Sequence, residues 1–231
     1  MQISHRAAKL TTADPPPQED GHPTMAPAAI AAVSDALARG ETHYTDRPGI
    51  LPLRKKVGEL MQRRYGLPSE AGQITLTCGV TEARFVAIQQ LLDRSGLVGA
   101  PLHAERIEGA VTLRDGRTTR TDLSSIDILY ATASASPDDI QASLAAIPAH
   151  ALVIFEVDGG GGFHPSHVAG FENRVITIGA LGLEHGLVGA RLGYLVAPPQ
   201  KAPGLRDFKQ ALTICSTNLS QWAALAVVED L

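Results

Sequence analysis

The chain has no run of about 18 apolar residues, which excludes a hydrophobic helix able to span a bilayer. Its N-terminus has no charged start followed by an apolar core, so it does not read as a secretory signal. There are only two cysteines, Cys78 and Cys215, with no metal-type spacing, and they read as free thiols rather than a disulfide. Basic residues cluster only at Arg54-Lys55-Lys56, so nothing points to nucleic acid or an anionic membrane surface. No internal repeat is visible, and the Gly159–Gly162 run is a loop too short to be low complexity. What is present is ordinary globular sequence: 231 residues, 44% apolar, net charge −4 and a mean hydropathy of +0.03. That length supports one substantial core, or one domain with a small appendage. The expected location is cytoplasmic.

Residues 1–24 contain Pro15-Pro16-Pro17 and few apolar groups, and read as an extended or disordered arm. A helix is expected from about Thr24 to Ala38, with Pro27 in its first turn and Gly40 as its stop. Leu51, Leu53, Val57, Leu60 and Met61 recur at helical spacing, with Arg54, Lys55, Glu59 and Arg63 between them. Residues 73–77 form a β-branched strand, broken by Gly79, and Thr81–Asp93 reads as a helix burying Phe85, Ile88, Leu91 and Leu92. Strand-turn-helix is the unit of parallel α/β sheets. Further on, Leu97–Leu102 is a short strand and Asp115-Gly116 predicts a hairpin within 109–120. Strands are expected at 126–132, 151–157, 175–178 and 193–196. A helix from Pro137 to Ile147 carries Asp138 and Asp139 in its first turn, and 205–231 reads as helix broken near 216–218.

One stretch carries more than fold information. The strand at Val175–Ile178 runs into a glycine-rich loop that ends Gly189-x-Arg191-x-Gly193-Tyr194. Earlier come Gly21-His-Pro23 with Pro27, Tyr44-x4-Gly49-x3-Leu53-Arg54, and the run Ile74-Thr-Leu-Thr-Cys-Gly79-Val-Thr-Glu-Ala83. Val153-Ile-Phe-Glu156-Val and the helix-like segment 221–230 follow in order. Together these motifs resemble the class I/II aminotransferases, the fold-type I family that uses pyridoxal phosphate (PLP). The resemblance spans nearly the whole chain. It implies a three-layer α/β/α sandwich with a mostly parallel sheet, the family's large domain over 25–231. The chain stops at Leu231, where the family's C-terminal small domain would begin, so that domain is expected to be absent.

Physically, a dianionic phosphate is held by backbone N–H groups at a helix start together with an arginine. The resemblance assigns that role to Gly79, Val80, Thr81 and Arg191, and gives Tyr44 the contact with the partner subunit's phosphate. Each has a plain structural reading too: a strand-to-helix turn for Gly79, a surface ion pair for Arg191, a core or interface aromatic for Tyr44. Four positions depart from the family. Aligned on Gly186, Leu187, Gly189, Arg191, Gly193 and Tyr194, its Schiff-base lysine falls on Leu183. Leucine can neither bond the cofactor nor move a proton. The five lysines, Lys9, Lys55, Lys56, Lys201 and Lys209, all lie outside this loop. The aspartate for the ring nitrogen falls on Phe155, and the asparagine turn is replaced by Ala133-Ser134-Ala135-Ser136-Pro137. The fourth departure is the substrate-clamping arginine of the missing domain.

The expectation is therefore an aminotransferase-like protein without transaminase activity, a partner or scaffold subunit in a homodimer or a heterodimer with an aminotransferase-like subunit. Two alternatives stand beside it. One is a module binding PLP or a phosphorylated metabolite noncovalently. The other is a transferase or lyase with altered chemistry, using His185 or Glu184 as base. No metal is implied, since His164 and His167 read as surface-loop histidines. A decayed fragment of a longer gene product is a further reading.

Overall fold

A computed structural model describes residues 24–228. The arm expected over 1–24 lies, except for Thr24, outside the described residues. Helix α1 (Pro27–Ala38) begins with proline in its first turn, where the missing N–H costs nothing. Helix α2 (Leu51–Tyr65) ends on Gly66 in the left-handed conformation. Strand β1 (Ile74–Thr77) then leads into α3 (Gly79–Leu91). Strand β2 (Leu97–Gly99), helix α4 (Glu108–Thr112) and strand β3 (Arg117–Thr119) form the far edge. They are followed by β4 (Ile128–Thr132), α5 (Pro137–Ala146), β5 (Leu152–Glu156), β6 (Val175–Ala180) and β7 (Gly193–Val196). Helices α6 (Ala202–Thr213) and α7 (Asn218–Leu225) close the described chain.

Among the described residues seven strands form one sheet in the order β1-β7-β6-β5-β4-β2-β3. Only β7 runs against its neighbours, pairing antiparallel with both β1 and β6. The other pairs are parallel, so the C-terminal ends of β1, β4 and β5 emerge on one edge. Strand alternation sends the two faces into separate cores. On one face Leu76, Leu129, Val153, Phe155 and Tyr194 pack with residues of α1, α2, α5 and α7. On the other Ile128, Tyr130, Ile154, Ile176 and Ile178 pack with residues of α3, α4 and α6. This is the expected three-layer α/β/α sandwich with a mostly parallel sheet.

Several expectations need correction. The segment 109–120 is not a hairpin. Asp115, at φ +57°, and Gly116, whose N–H donates to Val111 O at 3.0 Å, end helix α4 instead. The strand beyond pairs parallel with β2, because α4 makes the crossover that a two-residue turn cannot. Helix α3 buries Ala83, Val86, Ala87 and Ile88, while Phe85 and Leu91 are only half-buried. Small residues let this helix lie close on the sheet. Arg54 is buried rather than on the polar face of α2. Its guanidinium donates to Gly49 O at 2.9 Å and Ala71 O at 2.6 Å, tying two loops. Cys215 lies in the link between α6 and α7 rather than in a helix. Both cysteines are free and half-buried.

Candidate functional site at the sheet edge

β1 ends in a turn that prepares a helix N-terminus. Thr77 Oγ1 donates to Gly79 O at 3.0 Å, and Gly79 sits at φ +81°, where a side chain would be strained. The backbone N–H groups of the first turn of α3 have no intrahelical partners. Glu82 takes two nearby donors: its carboxylate accepts from Cys78 N–H at 2.5 Å and from the Thr213 hydroxyl at 2.9 Å. Burial, followed by the charge of Glu82, pushes the Cys78 thiol pKa up.

The glycine-rich loop brings Arg191 to this turn. A Cβ on Gly79 would lie 3.6 Å from the guanidinium carbon of Arg191. Arg191 is solvent-exposed and holds φ +53°, in the left-handed region. Gly193 makes the approach possible. A Cβ there would lie 2.6 Å from the Gly79 carbonyl carbon and 2.7 Å from Val80 N, so only glycine lets β7 lie against the cradle. The sequence motif marked Gly193, but its role as the cradle's backing needed the fold. Thr81 is exposed and Val80 half-buried on the same turn.

Leu183 occupies a short 3-10 turn, Leu183–His185, between left-handed Gly182 and Gly186. Its side chain is 47% exposed, whereas Leu187 is fully buried. His185 is half-buried, its Nε2 has no hydrogen-bond partner among the described residues, and its carbonyl accepts from Ala26 N at 3.0 Å. The turn is thus held by the chain leading into α1. Tyr44 is 75% exposed, which rules out the core reading of this residue.

At β5, adjacent residues part company. Phe155 is fully buried and packs edge-on against His164, with ring centroids 5.0 Å apart. His164 is itself fully buried, with Nε2 2.9 Å from Thr177 Oγ1, and is not a surface-loop histidine. Burial, reinforced by nearby His167, pushes its pKa down to about 3. His167 Nε2 lies 2.6 Å from Tyr65 O, so it too serves the fold.

Glu156 points to the opposite face. Arg84 of α3 grips it through two hydrogen bonds of 2.6 and 2.7 Å, Arg106 approaches at 3.1 Å, and the Tyr130 hydroxyl donates at 2.6 Å. Burial opposes ionisation of Glu156, but its hydrogen bonds to Arg84 and Tyr130 outweigh it and hold the carboxyl below its ordinary range. The phenol of Tyr130 is driven upward by burial and by this carboxylate. Sequence reasoning noted Glu156 but missed Arg84, Arg106 and Tyr130, since nothing local links residues up to 72 positions apart. It also missed Lys209, whose amine is buried in α6 without a hydrogen-bond partner among the described residues. Desolvation by burial lowers its pKa.

A sequence model of the aminotransferase class I and II family matches residues 10–156, more than half of the chain. The chain belongs to this family. Aspartate aminotransferase of Rhizobium meliloti strain 1021 is 27% identical over 85% of this chain and 57% of its own length. An arginine–pyruvate transaminase of Pseudomonas aeruginosa is 26% identical over 89% of this chain and 61% of its own. The chain thus spans about three-fifths of the curated relatives it matches. The crystal structure of the Rhizobium meliloti aspartate aminotransferase superposes with a TM-score of 0.78 at 22% identity, covering 97% of this chain and 66% of that one. The fold is the family's.

The family implies PLP, and the residues present fit only part of it. Gly79, Val80 and Thr81 at the start of α3, with Arg191 beside them, are the residues that would hold its phosphate. The remainder does not fit. On the motif alignment read from the sequence, Phe155, packed against His164, falls at the expected carboxylate and Leu183 at the expected amine, and neither side chain could supply that chemistry.

Proposed function

We propose that this chain is an aminotransferase-family subunit that does not transaminate and that acts as a partner or scaffold. The observation that carries this reading is the half-exposed Leu183 at the turn that the family's lysine would occupy. Without an amine there is no covalent attachment of an aldehyde cofactor and no base for the proton transfer that follows. Phe155 supports the same reading, because a buried phenylalanine cannot protonate a ring nitrogen. Support for association comes from Ile30, Leu37, Leu51 and Tyr44, which are 51%, 49%, 43% and 75% exposed around α1 and the start of α2. The partner is a second copy or an aminotransferase-like subunit. A cytoplasmic location accords with two unpaired thiols. The test is the purified protein with PLP, an amino acid and a keto acid. No exchange of the amino group is expected, and a turnover that disappears on removing PLP would overturn the reading.

A second reading is favoured by the nearness of Arg191 to Gly79 at the start of α3. The surviving cradle holds PLP or another phosphate ester noncovalently. Titration with pyridoxamine phosphate, which cannot form an imine with a lysine, reads this directly. Saturable binding lost in Arg191→Ala is expected, and its absence removes the idea.

A further inference from the structure

Strand β4 outruns its neighbour β2. Their pairing stops at Leu129 opposite Gly99, while β4 continues to Thr132. Two segments leave the sheet here, one through Pro101-Leu102-His103 and one through Ala133-Ser134 into α5. Where they meet, His103 Nε2 lies 3.2 Å from Ser134 Oγ, and His103 Nδ1 lies 3.3 Å from Glu105 Oε1. Thr132 Oγ1 lies 2.6 Å from the same serine oxygen. With Thr132 donating, the Ser134 proton is left to the imidazole. His103 holds this place at φ +57°, a left-handed conformation that costs a non-glycine residue about 1 kcal/mol or more. Ser134 is exposed, and the His103 side chain is 34% exposed, so solvent and solute reach the pair.

A cleft of about 430 Å³ opens beside these residues. Leu102, Ala131, Ala135 and Ile140 give it apolar walls, and Thr132 and Asp139 are among its polar lining. Arg120 Nη2, 3.7 Å from Glu105 Oε2, braces the carboxylate from the segment after β3. The carboxyl of Glu105 is held below its ordinary range, chiefly by its own backbone N–H and then by His103. A hydroxyl hydrogen-bonded to an imidazole, itself held by a carboxylate, is the arrangement used for nucleophilic acyl transfer.

We propose that Ser134, His103 and Glu105 form an esterase site that hydrolyses uncharged carboxylic esters with a short apolar acyl group. Ser134 Oγ attacks the ester carbonyl carbon while His103 Nε2 takes the hydroxyl proton. The carbon–oxygen bond to the leaving alcohol breaks, His103 returns the proton to that oxygen, and the acyl group stays on Ser134. Water then attacks the acyl-serine with His103 as base. The carboxylic acid leaves and Ser134 recovers its proton. Glu105 is a positioning residue that orients the imidazole through Nδ1. The apolar cleft selects the acyl chain. None of this uses the phosphate cradle.

The test uses the full chain without added PLP. A fluorophosphonate, which replaces its fluoride with a serine oxygen, is incubated with the protein and the label is mapped by peptide mass spectrometry. Labelling of Ser134 is expected, with hydrolysis of 4-nitrophenyl acetate that is lost in Ser134→Ala. His103→Gln is expected to slow both by about 100-fold or more. Glu105→Gln is expected to lower kcat with KM unchanged, a split that a loop-tying role would not give. Wild-type labelling no faster than in Ser134→Ala, a label mapped elsewhere, or equal hydrolysis by the two proteins would overturn the proposal.

Discussion

The guanidinium of Arg191 lies over the open side of Gly79, with its carbon 3.6 Å from the place a side chain would begin. The two residues lie 112 positions apart and belong to different elements, the turn after β1 and the loop before β7. They meet because β7 pairs with β1, with Gly193 opposite Thr77, and because Gly193 leaves room for the Gly79–Val80 peptide. A cation and the open N-terminus of a 13-residue helix then face the same solvent. The approach of Arg191 to this helix start is therefore built by sheet pairing.

Arg191→Ala should leave stability nearly unchanged, within about 0.5 kcal/mol, because the side chain is exposed. It should weaken binding of a phosphate ester by about 10-fold or more, as one charge-assisted contact is lost. Thermal unfolding and a titration with pyridoxamine phosphate measure the two effects on the same sample.

Gly193→Ala should behave differently. Its Cβ would meet backbone atoms of Gly79 and Val80 at 2.6 and 2.7 Å, which no rotamer change relieves. A loss of about 1–3 kcal/mol is expected from this overpacking, together with loss of phosphate binding. Urea unfolding gives the stability change. An alanine variant as stable as the wild type would contradict the described contact.

Glu156→Gln should cost about 3 kcal/mol, because Arg84 would remain largely buried without its countercharge. The stability that Glu156 brings is complete above its ordinary pKa of 4.5 and is lost as pH falls through its lower folded value. Urea unfolding of wild type and variant at pH 7 and pH 3 should show the gap between them narrowing at the acid end.

His164 loads the acid side as well, over a different range. Its folded pKa of about 3 lies below the ordinary 6.5, so between those values the unfolded chain binds the extra proton. Stability should therefore hold above pH 6.5 and fall below it, by at most about 1.4 kcal/mol per pH unit from this group. His164→Gln keeps a partner for Thr177 without the titration, and its unfolding free energy should depend less on pH between 6.5 and 4.

Much of the frame was legible because it rests on local pattern. β7 falls on the expected residues 193–196, since an apolar run between glycine and Pro198 leaves little choice. The break between α6 and α7 lies at 214–217, close to the expected 216–218, where Ser216 and Thr217 interrupt the helical pattern. The turn at Asp115-Gly116 misled because the same dipeptide that closes a hairpin can also end a helix. His164 misled because a glycine run and Pro165 flank it, which is surface grammar, while its ring turns inward to Phe155. The family motif singled out Gly79 and Arg191, and the fold brings the two close together. The Glu156–Arg84–Tyr130 cluster and the His103–Ser134 pair were not, because each joins residues from separate elements whose packing alone decides their approach.

The most direct test of the central claim is borohydride reduction of the protein at equimolar PLP, followed by intact-mass and peptide analysis, with Leu183→Lys as the comparison. Borohydride makes any imine between PLP and an amine permanent. The account predicts no stoichiometric pyridoxyl adduct on the wild-type chain, and one adduct at position 183 in the variant. A stoichiometric adduct on a single wild-type lysine, Lys209 above all, would contradict it and show that the covalent chemistry survives at another amine.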